Sequence, residues 1–113
     1  MSDLRINRTT APKAAKARVA FYPDVRSYPP PDHFRATAKP KGEKDGRHWS
    51  ICMDWEDTLS EEKWETEEAV VCWLVDEAPH EQLEVGAEFE VYEGKTAVAE
   101  VEVLEILWED EGC

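Results

Sequence analysis

The chain has 113 residues, enough for one domain with little room for a second. Its 13 Lys+Arg against 26 Asp+Glu give a formal charge of −13, while 42% hydrophobic residues with 10% aromatics are too many for a disordered acidic tail. The longest apolar run, Ala69 to Val75, spans seven residues against the ~20 of a membrane helix, and Met1-Ser2-Asp3-Leu4 opens no signal-peptide core. A small soluble domain of bacterial type, in the cytoplasm, is the expectation.

Residues 1–14 are polar or small and keep no period, which predicts a basic arm. Ala17, Val19 and Phe21 alternate with Arg18, Ala20 and Tyr22, predicting a half-buried strand that ends at Pro23. Pro29, Pro30 and Pro31 offer no ladder donors, so residues 23–32 read as a rigid loop, with Tyr22 and Tyr28 beside it as a lid. Phe34, Ala36 and Ala38 predict a second strand, and Lys41 to Gly46 a turn.

Trp49, Ile51, Met53 and Trp55 alternate with His48, Ser50, Cys52 and Asp54, the clearest period of two in the chain. Residues 56–68 are mostly acidic: Thr58 with Glu61 fits a capping box for a helical turn around 59–65, and a loop fits equally well. Ala69 to Val75 reads as a central strand buried on both faces. Phe89 and Val91 predict a fifth strand before the Glu93-Gly94 turn. Ala97, Ala99, Val101 and Val103 predict a sixth, whose apolar phase then shifts to Leu104 and Ile106, the mark of a bulge or bend. Residues 109–113 are an acidic tail. Six short strands with frequent turns predict an all-β fold, a small six-stranded antiparallel barrel over 15–108, since closure removes two adhesive edges.

Charge is divided along the chain. Residues 1–48 carry a net +6 and residues 49–113 a net −19, which predicts two opposed faces or a basic arm on an acidic body. The acidic body repels phosphates, which argues against nucleic acid as the partner. The same field attracts a basic protein and speeds encounter with it. Cys52, Cys72 and Cys113 form no CxxC pair and no zinc spacing, and read as free thiols in a reducing compartment, with Cys72 a small core residue.

Residues 83–107 read LEVGAEFEVYEGKTAVAEVEVLEIL. With Leu83, Gly86, Phe89, Glu93, Gly94, Val98, Val103, Ile106 and Leu107 in step, this segment resembles the last two strands of the C-terminal (third) β-barrel domain of bacterial translation elongation factor Tu. Ser27-Tyr28-Pro29-Pro30 followed by Phe34-Arg35 resembles a degraded G-Y-x-P-x-F segment of the same barrel, and Val70 to Val75 its central strand. Ser27 and Pro29 depart from that segment, and Glu100 and Val101 replace small residues of the final strand. The resemblance implies a barrel that in its family faces aminoacyl-tRNA, the GTPase domain and the exchange factor. No GxxxxGK[ST] occurs here, and the acidic half lacks the basic character that tRNA requires.

No catalytic, cofactor or metal residues emerge. His48 and Cys52 stand four residues apart on a strand, roughly 13 Å, too far to share a metal. No GxSxG elbow appears, so Cys52 and Cys72 are the only free nucleophile candidates, and acid–base work by the many carboxylates needs a pair with split environments. Trp49, Trp55 and Trp73 fall on strands, where core packing is the default. Trp64 stands among acids, as the anchor of a partner patch or as part of a loop folded over a barrel opening. The partner-binding candidates are therefore Asp54, Glu56, Asp57, Glu61, Glu62 and Trp64. Three functions compete: a non-enzymatic, immunity- or inhibitor-type acidic protein that blocks a basic partner; a translation-associated module that binds a translation factor; and a small-ligand carrier or enzyme using the barrel mouth.

Overall fold

The computed structural model describes residues 13–25, 29–30, 32–42, 47–56, 59–60, 62–74, 78 and 80–109. They form six strands, β1 (Lys13–Phe21), β2 (His33–Pro40), β3 (Trp49–Asp54), β4 (Glu65–Trp73), β5 (Glu88–Glu93) and β6 (Thr96–Glu109), with a short 3-10 turn at His80–Gln82. The strands close into a barrel in the order β1-β4-β3-β2-β5-β6, every pairing antiparallel. The expected architecture is the one observed. β1 reaches four residues further back than its alternating core predicts, so Lys13 and Ala14 belong to the sheet and not to an arm, and Glu109 belongs to β6.

The inward set follows the period of two. Ala15, Ala17, Val19 and Phe21 of β1 join Ile51 and Met53 of β3, Ala69, Val71 and Trp73 of β4, Phe89 and Val91 of β5, and Ala99, Val101 and Val103 of β6 in one core. Alanines at 15, 17, 38, 69 and 99, all without exposure, offset the volume of Trp55, Trp73 and Phe89, the small-and-large mixture that a narrow barrel needs. One aromatic group holds Phe21, 5.4 Å from the Phe34 ring and 5.8 Å from Trp55; a second holds Trp73, edge-on to Phe89 at 5.3 Å. Each fully buried side chain of this size contributes roughly 1.5–3 kcal/mol.

Bulges carry the departures from strict alternation. In β6, Val103 faces Ala17 and Glu105 faces Lys16, so Leu104 is the extra residue; a second shift follows between Ile106 and Trp108. The expected phase change after Val103 is this bulge. It leaves Leu104 exposed and returns Ile106 to the core. In β4, Ala69 faces Ala17 and Thr66 faces Val19, so Glu67 and Glu68 together oppose Arg18. Both glutamates point to solvent while Thr66 is buried, and the Thr66 hydroxyl accepts the Glu68 N–H at 3.1 Å. Residues 65–68, expected as helical turn or loop, are thus strand. The capping-box residues Thr58 and Glu61 lie outside the described residues.

Candidate functional site

Among the described residues the inward side chains named above form the core, and the charged side chains sit on the outer face. Topology decides how charge is spread there. β1, from the basic half of the chain, lies between β4 and β6, and β2 lies between β3 and β5, so each strand of the basic half has two neighbours from the acidic half. Arg18 reaches Glu65 at 3.4 Å, Glu100 at 3.3 Å and Glu102 at 3.3 Å. Lys41 reaches Glu100 at 2.9 Å and Glu88 at 3.6 Å, Lys16 meets Glu68 at 3.6 Å, and Lys13 meets Glu109 at 3.1 Å. Burial works against the Arg18 charge, but hydrogen bonds to Glu102, Glu100 and Glu65 outweigh it and raise its pKa. The Lys41 hydrogen bond, helped by Arg18, holds Glu100 below the ordinary carboxylate range. In place of two opposed faces, the described residues form an interleaved ion-pair lattice.

At the start of β4, Glu65 and Glu68 are held by Arg18 and Lys16, and Glu67 is exposed beside them. β4 pairs with β1 from Glu65 to Val71 but with β3 only from Val70 to Trp73. Among the described residues, no strand pairs with the other edge of Glu65–Glu68. Lys63, Glu65, Thr66, Glu67 and Glu68 line a shallow groove open to solvent along that edge. A tight turn feeds it, in which Ser60 and Lys63 exchange both backbone hydrogen bonds, at 3.0 and 2.9 Å.

The partner-binding candidates fare unequally. Glu56 and Glu62 are exposed. Asp54 is only 2% exposed and offers no charge at the surface. Asp57 and Glu61 lie outside the described residues. Trp64 is half-buried against the barrel core, and its carbonyl accepts the Phe21 N–H at 2.9 Å, which places it as a cover over the Phe21 end of the barrel. Glu65, Glu67 and Glu68 escape a reading by periodicity because the bulge removes the alternation that marks a strand.

A second outer-face feature is apolar. Cys52 of β3 stands directly opposite Cys72 of β4, and Arg35 of β2 directly opposite Cys52. Cys52, Cys72, Val70 and Ala14 form a small buried cluster outside the barrel, against which Trp108 packs. This cluster covers the outer side of Val70 and Cys72, so Val70 to Trp73 is buried on both faces, as a continuous apolar run predicts. Leu74 of the same run, however, lies beyond the strand and is 44% exposed, and Val75 lies outside the described residues. Cys72 is buried, as expected, but in this outer cluster and not in the barrel core.

Among the described residues, no three His, Cys, Asp or Glu converge as a metal site, and no helix is long and apolar enough to cross a membrane. Comparison of the chain with protein-family models, with curated proteins and with solved structures gives no match.

Proposed function

We propose that this protein is a non-enzymatic binding module that uses the acidic edge of β4, with Glu62, Glu65, Glu67 and Glu68 and the nearby candidate Glu56, to hold a basic protein. The observation that carries the reading is the run of exposed glutamates at the start of β4, Glu65, Glu67 and Glu68, against which no strand lies on the side away from β1 among the described residues. A cationic segment complements their charge. The acids also keep such an edge from pairing with another copy of this negatively charged chain. The role that fits is of the immunity or inhibitor type, in a bacterial cytoplasm, where a small acidic domain covers the basic surface of a toxin such as a nuclease.

The test is a comparison of two triple variants with equal net charge. Neutralising Glu62, Glu67 and Glu68 to Gln is expected to slow association with the captured basic partner by roughly tenfold at low salt and to flatten its salt dependence. Neutralising Glu81, Glu84 and Glu105, exposed elsewhere, is expected to change it far less. Equal rates in the two variants would overturn the reading.

A second reading, a translation-associated module, draws support from residues 83–107. They fold as the closing hairpin of a six-stranded antiparallel barrel, with Gly94 at φ 66° in its turn. It predicts co-purification with a translation factor.

A further inference from the structure

We propose that Cys52 and Cys72 form a reversible disulfide, which makes the outer face of the β3–β4 ladder a site of oxidation by hydrogen peroxide. The inference is independent of the partner surface on β4. Register carries it. The Trp55 N–H donates to Asp32 of the β2 side and the Leu74 N–H donates to Ser50, both at 2.9 Å. Odd-numbered residues of β3 therefore turn their backbone groups to β2 and even-numbered ones to β4. Cys52 and Cys72 are consequently a hydrogen-bonded cross-strand pair, for which Cα atoms lie about 5.5 Å apart. That spacing falls inside the 4.4–6.8 Å range that disulfides span, typically, without backbone movement. Both side chains leave the sheet on the same face, into the same cluster.

The surroundings divide the labour between the two sulfurs. The Cys72 thiol donates to Cys52 and lowers its pKa to about 7; burial and Asp54 oppose this, and Arg35 supports it. The same hydrogen bond, with burial and the Asp54 charge, pushes Cys72 up. Cys52 is thus the thiolate that reacts, and Cys72 keeps its proton until it is needed. Exposure of 4% and 3% selects the oxidant: a hydrogen peroxide molecule, little larger than water, enters where a bulky disulfide reagent does not.

The chemistry balances in two steps. The Cys52 thiolate attacks one peroxide oxygen; the O–O bond breaks, a sulfenic acid forms, and the departing hydroxide takes up a proton as water. Cys72 sulfur then attacks the Cys52 sulfur; the S–S bond forms, the S–O bond breaks, and the leaving hydroxide takes the Cys72 proton as a second water. Two thiols lose two electrons and one peroxide gains them.

The experiment treats the full chain with a small excess of hydrogen peroxide and maps peptides without reduction. The expected product links the Cys52 and Cys72 peptides, has lost two hydrogen atoms, and returns to free thiols with dithiothreitol. C72S is expected to stop at a Cys52 sulfenic acid that dimedone traps, and C52S to leave Cys72 unreacted. R35Q is expected to slow the cross-link by about threefold to tenfold. Recovery of Cys52 and Cys72 as free thiols under conditions that oxidise Cys113 would overturn the proposal, as would linkage of either one to Cys113 in its place. The unsubstituted chain decides the matter if a variant fails to fold.

Discussion

Arg18 of β1 and Glu100 of β6 meet at 3.3 Å, and the same carboxylate accepts a hydrogen bond from Lys41 at 2.9 Å on its other oxygen. One side chain thus ties β1 and the segment that leaves β2 to the strand that closes the barrel, drawing a cation from each. The pair sits at the seam between the first and last strands, where closure brings together residues 82 positions apart.

Glu100 therefore confers acid sensitivity. Its folded-state pKa lies below the ordinary 4.5, chiefly through Lys41. A carboxylate held low contributes stability that is present above its unfolded pKa and is lost as pH falls through the folded value. E100Q is expected to cost about 1 kcal/mol at neutral pH and to make the acid branch of the stability profile shallower. Urea titrations of both proteins from neutral pH to pH 3 (about one unit below the usual Glu range) check this; parallel profiles would contradict it.

The tryptophans should separate by depth. Trp55 is 2% exposed in the barrel core, whereas Trp64 covers the core from outside. W55A is expected to cost about 3–5 kcal/mol and W64A less than half as much. Equal losses in denaturant midpoints would show that Trp64 is as integral to the core as Trp55.

Gly94 begins the two-residue turn between Glu93 and Thr96 with φ 66°, and no atom lies within 4 Å of where its Cβ would stand. The cost of G94A is therefore conformational and not steric, about 1 kcal/mol, and G94N recovers part of it because Asn tolerates the left-handed region. A steric origin would instead make G94N the worse of the two in thermal melts.

Leu104 tests the β6 bulge. As the extra residue, 38% exposed, it is expected to accept L104E within about 0.5 kcal/mol. Deleting it shifts the strand by one residue, turns Ile106 and Trp108 to the opposite faces, and is expected to abolish cooperative unfolding. A deletion variant that melts like the parent would mean that the register beyond Val103 is not held.

How far each element was legible follows from what its residues record. β3 declares itself because Trp49, Ile51 and Met53 are large and apolar toward the barrel core while Ser50, Cys52 and Asp54 are small or polar, and that difference is written as alternation although Cys52 and Asp54 are buried too. The Leu104 bulge is legible as a phase change. The start of β4 is not, because Glu67 and Glu68 both face out at a bulge and erase the period, and acids carry no apolar signal of their own. The start of β1 is hidden for a related reason: Ala14 is covered outside the barrel by the cluster where Trp108 packs. Among the site residues, Glu56 and Glu62 are surface acids as read, while Asp54 is buried by neighbours on other strands that no local pattern reveals.

The sequence by itself determined the class of object: alternating apolar residues at six places, breakers between them, and an acid surplus that any compact fold must leave outside. Only the tertiary structure decided where that surplus lies. Strand order placed β1 between β4 and β6, and Lys41, just after β2, beside β5 and β6, and so turned part of the charge divided along the chain into ion pairs. It also left the acidic start of β4 with a strand on one side only among the described residues, and set Cys52 opposite Cys72. Each of these is a relation between residues distant in the chain, and distance along the chain carries no information about lateral register until the barrel closes.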